Sequence, residues 1–465
     1  MQKIIYSALL LSTLVVANTV VPSTGSDLKI TIYNNNKAFI NDTREVDVKA
    51  GKQKLVYEGV PSSVITQSVV PTFGGMRTNL YSQNYIYDLI SLESMLEKSI
   101  DKEVAFYTNE KEPMLTRGRL LSASPVVMVK ENETGKIYSL NSSRQVVFDK
   151  VPENMITKPS LVWNMESEKE GKLEIDLKYL TRGISWSSDY VLNLNRESLD
   201  LTGWITVNNN SGVAYENAEI TCLAGDVNAV PERRSYDKNR VFYESKSAPM
   251  VAMDAVEEES FSGYHIYKIP FKETIANREQ KQISFIDKKK IAYHQYGKNR
   301  NSYFENYKGI QKLQFTNTIE FENKKENNMG ISIPSGVVRM YQKDSSEKSH
   351  FIGEARVGNI PEDENVTLSI GTLFDAVGEK RITKFISKKH YRKVKTTYTL
   401  RNQGKEPLEL KVEEQIPRYG DDIKLKSSCK GICSVEKKSA FLQEYTIRLK
   451  AKEKYEFSSE FEVNF

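Results

Sequence analysis

The stretch YLTRGISWSSDYVLNL, Tyr179 to Leu194, sets Trp186, Asp189 and Tyr190 beside three serines, directly after an alternating strand. Three kinds of chemistry suit these residue types: a serine nucleophile on a sharp turn, an aspartate acting as acid or base, and aromatic rings stacked on sugar faces. The spacing argues against the nucleophile. Gly183-Ile184-Ser185-Trp186-Ser187 lacks the second glycine of a nucleophile elbow, and strands flank it where a helix should follow. Asp189 and Asp226 are the best-placed carboxylates for glycan hydrolysis, which needs two carboxyls roughly 5–10 Å apart. The competing expectation is that each accepts hydrogen bonds from turn amides. Trp186, Trp204 and Tyr190 have the chemistry of a carbohydrate platform, but Trp204 alternates with Ile205 and Val207 as a core residue does. The stretch is therefore read as a structural corner, with Trp186, Asp189, Tyr190 and Asp226 kept as candidate ligand-binding residues.

Other constellations carry little chemistry. His265, His294, His350 and His390 share no ligand-spaced pair, so no metal or cofactor is expected. GRLLSASP and AGDVN lack the Lys-Ser/Thr ending of a phosphate loop, and GDDIK at Gly420 is short of the oxygen ligands of a calcium loop. DENVT carries a glycosylation sequon at Asn365. Cys429 and Cys433, in CKGIC, are close enough to form a disulfide across a turn at Gly431, whereas Cys222 alternates with apolar neighbours and reads as a small buried side chain.

The elements that must position these residues belong to a chain expected to be exported. Lys3 followed by Ile4 to Val16 has the form of a signal peptide, with a cut expected after Ala17. No segment approaches the roughly 20 apolar residues of a membrane helix. Of 465 residues, 27% are charged and 39% hydrophobic, and the formal charge of +5 becomes +4 once Lys3 is removed (5 − 1). So small a net charge argues against a dedicated nucleic-acid binder.

Strand patterns dominate: KITIYNNNKAFI, KLEIDLKYL, KLQFTNTIEFEN, LELKVEEQIP and the final YTIRLKAKEKYEFSSEFEVNF all run near period two. From Gln83 to Ile100, Ile86, Leu89, Ile90, Met95 and Leu96 recur at helical steps and predict an amphipathic helix. Three segments, from Gly203, Asn317 and Thr396, share one plan of strand, Asn-rich turn and strand, which predicts immunoglobulin-like hairpins with Asn at left-handed turn positions. The fold class expected is mainly β, multi-domain, with immunoglobulin-like sandwich pieces and one short helix. The divisions are a signal peptide 1–17, a β domain 18–82, the helix 83–101, a small β subdomain 102–157, a sandwich region 158–385 with a flexible loop 229–263, and a C-terminal sandwich 386–465.

KYLTRGISWSSDYVLNL and the following LTGWITVNNNSGVAYENAEITCLAGDVN closely resemble the defining domain, itself of unknown function, of the mucoidy-inhibitor family of exported bacterial proteins. Gly183, Trp186, Asp189, Tyr190, Gly203, Gly212, Asn217 and Asp226 are among the residues that carry the resemblance. Residues 29–69 resemble the companion domain that often precedes it, without the long coiled coil of larger relatives. The resemblance implies a periplasmic β protein more firmly than an activity. The expected role is a non-catalytic envelope protein that binds protein or polysaccharide. The alternative is an envelope glycan or peptide hydrolase using Asp189 or Asp226.

Overall fold

The computed structural model describes residues 18–23, 27–108, 112–152, 155–225, 257–261, 263–302, 309–416 and 422–464. The signal segment 1–17, Asp226, nearly all of loop 229–263 and the start of GDDIK lie outside them. Strands dominate the described residues, and the chain divides into two compact units, residues 1–186, 207–225 and 266–281 in the first and 187–206, 226–265 and 282–465 in the second.

In the first unit, a four-stranded sheet runs Asn18–Val21, Gly51–Glu58, Ser160–Ser167, Thr78–Ile86. An eight-stranded sheet contains, in order, Tyr215–Ala224, Asp27–Tyr33, Lys37–Val48, Gly171–Arg182 and Val70–Gly74. Strict alternation in Gly171–Arg182 buries Leu173, Ile175, Leu177 and Tyr179 on one face. A separate five-stranded sheet, Leu115–Ser122 at its centre, closes over Leu96, Phe106, Leu120 and Val129.

The expected helix over 83–100 is only Leu92–Glu97, capped by the Ser91 hydroxyl on the Ser94 amide. Gln83 to Ile86 are instead the end of strand Thr78–Ile86, paired with Ser160 to Trp163. The aromatic-rich NYIY fits the pleated surface, and the apolar steps that read as one helix belong to a strand and a helix in series.

The second unit holds three sheets. Glu279–Ala292, Ser198–Asn209, Ile184–Leu194, Gly336–Lys343 and Ser349–Val357 form one. The other two face each other across a shared core. A six-stranded sheet contains His294–Ser302 beside Leu408–Gln415 and Leu442–Leu449, and a five-stranded sheet contains Ala376–Lys388, Tyr391–Asn402 and Lys454–Asn464. The boundary expected between 385 and 386 falls inside the antiparallel pair Ala376–Lys388 and Tyr391–Asn402. Within this sandwich, a main cluster around Leu400, Leu410, Val412 and Ile447 and a smaller one of Val394, Ile416, Phe461 and Val463 hold the apolar core. Among the inward positions stand Lys380, Glu414, Thr396 and Ser459, all at most 2% exposed.

The three repeated segments are not hairpins. Ser198–Asn209 and Tyr215–Ala224, Thr316–Glu322 and Gly336–Lys343, Tyr391–Asn402 and Leu408–Gln415 each send their two strands into different sheets. One buried asparagine closes each arch. Asn402 donates to Glu406 O (2.7 Å) and Lys450 O (3.1 Å) and accepts from the Gly404 amide (2.8 Å). Asn209 does the same with Val213 O (2.8 Å), Ala276 O (3.0 Å) and the Ser211 amide (3.1 Å). Asn323 uses Ile331 O (2.6 Å), Pro361 O (2.7 Å) and the Gly330 amide (3.1 Å). Just beyond each distant carbonyl, one residue takes positive φ: Arg278 (60°), Asp363 (63°) and Lys452 (61°). The repeat is thus a side-chain clasp, which supplies partners to backbone groups that the arch leaves out of any ladder.

Candidate functional site

Alternation in Ile184–Leu194 separates the residues singled out in the sequence. Ile184, Trp186, Ser188, Tyr190, Leu192 and Leu194 are buried, while Asp189 projects from the opposite face. Gly183, before the strand, has φ of 78°, and a Cβ there would lie 2.7 Å from Asn210 O and 2.9 Å from Ser211 Cα. That crowding and the positive φ together require glycine at the corner.

Trp186, in the first unit, is 4% exposed; its indole N–H donates to Leu223 O (3.1 Å) and its ring lies 5.9 Å from that of Tyr267. A ring so enclosed offers no face to a sugar. Tyr190, in the second unit, is fully buried, donates its hydroxyl to Pro334 O (2.6 Å) and packs near Phe285. Burial pushes its phenol well above the usual range. Trp204, expected in the core, is only half-buried. Its register places it opposite Ile205 and Val207, not among them.

Asp189 is in mid-strand, so turn amides are not its partners. One carboxylate oxygen accepts from the Thr206 hydroxyl (2.9 Å) and the other from the Arg339 guanidinium (3.1 Å). Asp189 is 25% and Arg339 42% exposed, so water screens the pair. Asp226 lies outside the described residues. Cys429 and Cys433 are joined as a disulfide, and Cys222 is buried with its thiol pushed up by that burial.

The surface with the character of a binding site is one that sequence reasoning took for a helix face. Tyr85 and Tyr87 project from the end of Thr78–Ile86 and the residue after it, their ring centroids 5.6 Å apart and tilted by 31°. Thr78–Ile86 is an edge strand of its sheet. Tyr85 is anchored by its hydroxyl to Pro61 O (3.2 Å), while Tyr87 is 70% exposed. The two tyrosines, Leu89, Ser91, Ser94 and the ion-paired Asp88 and Lys98 line a shallow cleft of about 630 Å³. The signal was present in YSQNYIYD: Tyr85 and Tyr87 stand two apart, the step that sets side chains on one face of a strand.

A second cleft, about 430 Å³, gathers His294, Glu320, Glu322 and Asn365 in the second unit. His294 Nε2 is 2.8 Å from Glu409 Oε1, and Arg448 donates to the other oxygen of Glu409 (2.9 Å). Burial raises the Glu409 carboxyl, but these hydrogen bonds outweigh it and hold the group below the usual glutamate range. Among the described residues no helix is long and apolar enough to cross a membrane.

Residues 175–465 match the family model described as Domain of unknown function (DUF4139). No curated protein matches the chain.

Proposed function

We propose, for a chain that belongs to the family defined by the domain of unknown function DUF4139, that it is an exported, non-catalytic periplasmic protein of the cell envelope that binds a protein or polysaccharide partner. The finer assignment to the mucoidy-inhibitor proteins rests on the likeness of the Gly183–Trp186 corner and the strands after it, which lie within the matched span. The observation that carries the binding role is the tyrosine-lined cleft of the first unit, where an exposed ring stands beside an anchored one and above hydroxyls and an ion pair. Clefts with apolar walls and a few convergent polar groups are where ligands bind. Against hydrolysis by Asp189 stands its chemistry: each oxygen already has a donor, one a hydroxyl and the other a guanidinium.

The test combines location with contact. The protein should fractionate with the periplasm, begin near Asn18, and crosslink to an envelope component through a photoreactive residue placed at position 87. Tyr87→Ala should retain the wild-type melting temperature and lose about tenfold in partner binding, the scale of one aromatic contact. A Tyr87→Ala protein that binds like wild type would remove the cleft from the proposal, and an intact Met1 on most of the protein would remove export.

A further inference from the structure

The most unusual chemistry of the molecule lies inside the sandwich of the second unit. Lys380 is 2% exposed, and Glu414 and Tyr398 are fully buried. Lys380 stands directly across from Tyr398 in one sheet, and Asn301 directly across from Glu414 in the other. Lys380 Nζ donates to Asn301 Oδ1 at 3.1 Å and to Ser302 O at 2.6 Å. The Tyr398 hydroxyl contacts the same Asn301 oxygen at 3.0 Å and also Glu414 Oε1. Asn301 Nδ2 donates to Asn299 Oδ1 at 3.1 Å. A buried amine therefore abuts a carboxamide whose oxygen is polarised by a phenol, and whose nitrogen is held on the far side.

We infer that Lys380 and Asn301 react to form a side-chain amide, a covalent bond that staples the two sheets of this sandwich together. The reactive form has a neutral Lys380 amine and Glu414 as the acid, one proton having passed from ammonium to carboxylate. A dry interior favours that neutral pair over separated charges. Glu414 then donates to Tyr398 and Tyr398 to Asn301, so each of these two phenol contacts has its own proton. Nζ attacks Cγ, and the developing oxyanion is held by the Tyr398 hydroxyl. The Nζ–Cγ bond forms, the Cγ–Nδ2 bond breaks, and Nδ2 takes a proton from the attacking amine and leaves as ammonia. No oxidant or further reactant is needed. Packing holds the amine against the amide, which supplies the proximity that such an unactivated condensation requires. Tyr398 is the catalytic residue; Glu414 acts through it as a positioning residue.

The mass of the full mature protein, reduced and denatured, tests this directly. It should be lower than the sequence mass by one ammonia, and a protease digest should yield one branched peptide containing both Lys380 and Asn301. Lys380→Met should have its full sequence mass. A wild-type protein of full sequence mass would overturn the inference. So would loss of ammonia without a branched peptide, which signals a succinimide at Asn301-Ser302. Glu414→Gln should fold, by near-ultraviolet circular dichroism, yet form the branched peptide at least about tenfold more slowly. Unchanged bond formation in a folded Glu414→Gln protein would overturn the relay.

Discussion

Asn402 and Asn301 lie in the same sandwich, yet their side-chain amides are held in opposite ways. Asn402 gives its N–H groups to two backbone carbonyls and takes one backbone amide in return. Among the described residues, the Asn301 side chain meets an amine and a phenol at its oxygen and another asparagine at its nitrogen. An amide locked by neutral backbone groups has no amine against it in these contacts and serves to close an arch. An amide among ionisable side chains has both a nucleophile and a proton source. The same residue type thus does structural work at Asn209, Asn323 and Asn402, and stands ready for reaction at Asn301.

The strongest way to break that contrast is Asn402→Ala. It takes the side-chain partner from Glu406 O and the Gly404 amide and one of two donors from Lys450 O, which keeps the Glu453 amide (3.2 Å), and should cost about 3–5 kcal/mol in denaturant unfolding, since each orphaned buried group costs roughly 1–3 kcal/mol. A cost below about 1 kcal/mol would mean that water replaces the clasp. Trp186→Ala, which empties a packed site beside Tyr267, should cost a similar 3–5 kcal/mol or so. A Trp186→Ala protein as stable as wild type would show that the corner does not depend on its ring.

Glu409 gives a smaller, pH-dependent effect. Its folded pKa is depressed, so its stabilisation is present above the ordinary glutamate value and is lost as pH falls through the lower folded one. The gap in unfolding midpoint between wild type and Glu409→Gln should therefore close on acidification from about pH 6 to about pH 3. A gap that widens would reverse the sign. Smallest of all, Asp189→Asn should cost only about 0.5–1 kcal/mol, because its pair with Arg339 is screened, and raised salt should shrink the difference.

Much of this architecture was legible in the residue pattern. Alternation identified the strands, and it also divided Trp186 and Tyr190 from Asp189, because side-chain direction in a strand follows position alone. The Cys429–Cys433 bond followed from spacing. Lys380 and Glu414 could have been found the same way: Ala376, Gly378, Lys380 and Leu410, Val412, Glu414 each place a charged residue on an inward series. The Asn-rich turns gave away the repeat but not its meaning, since strand, polar turn and strand look alike whether the second strand pairs with the first or crosses to another sheet.

By itself, then, the sequence determined which residues point inward, where chain reversals fall, and that the molecule is a series of β pieces. These are consequences of local geometry, of period two and of turn chemistry. Only the tertiary structure decided which strands pair, that Tyr85 and Tyr87 stand on an open sheet edge, and that Lys380 meets Asn301 at 3.1 Å from 79 residues away. Such meetings depend on hydrogen-bond partners chosen between distant strands, and a period-two pattern is silent about its partner.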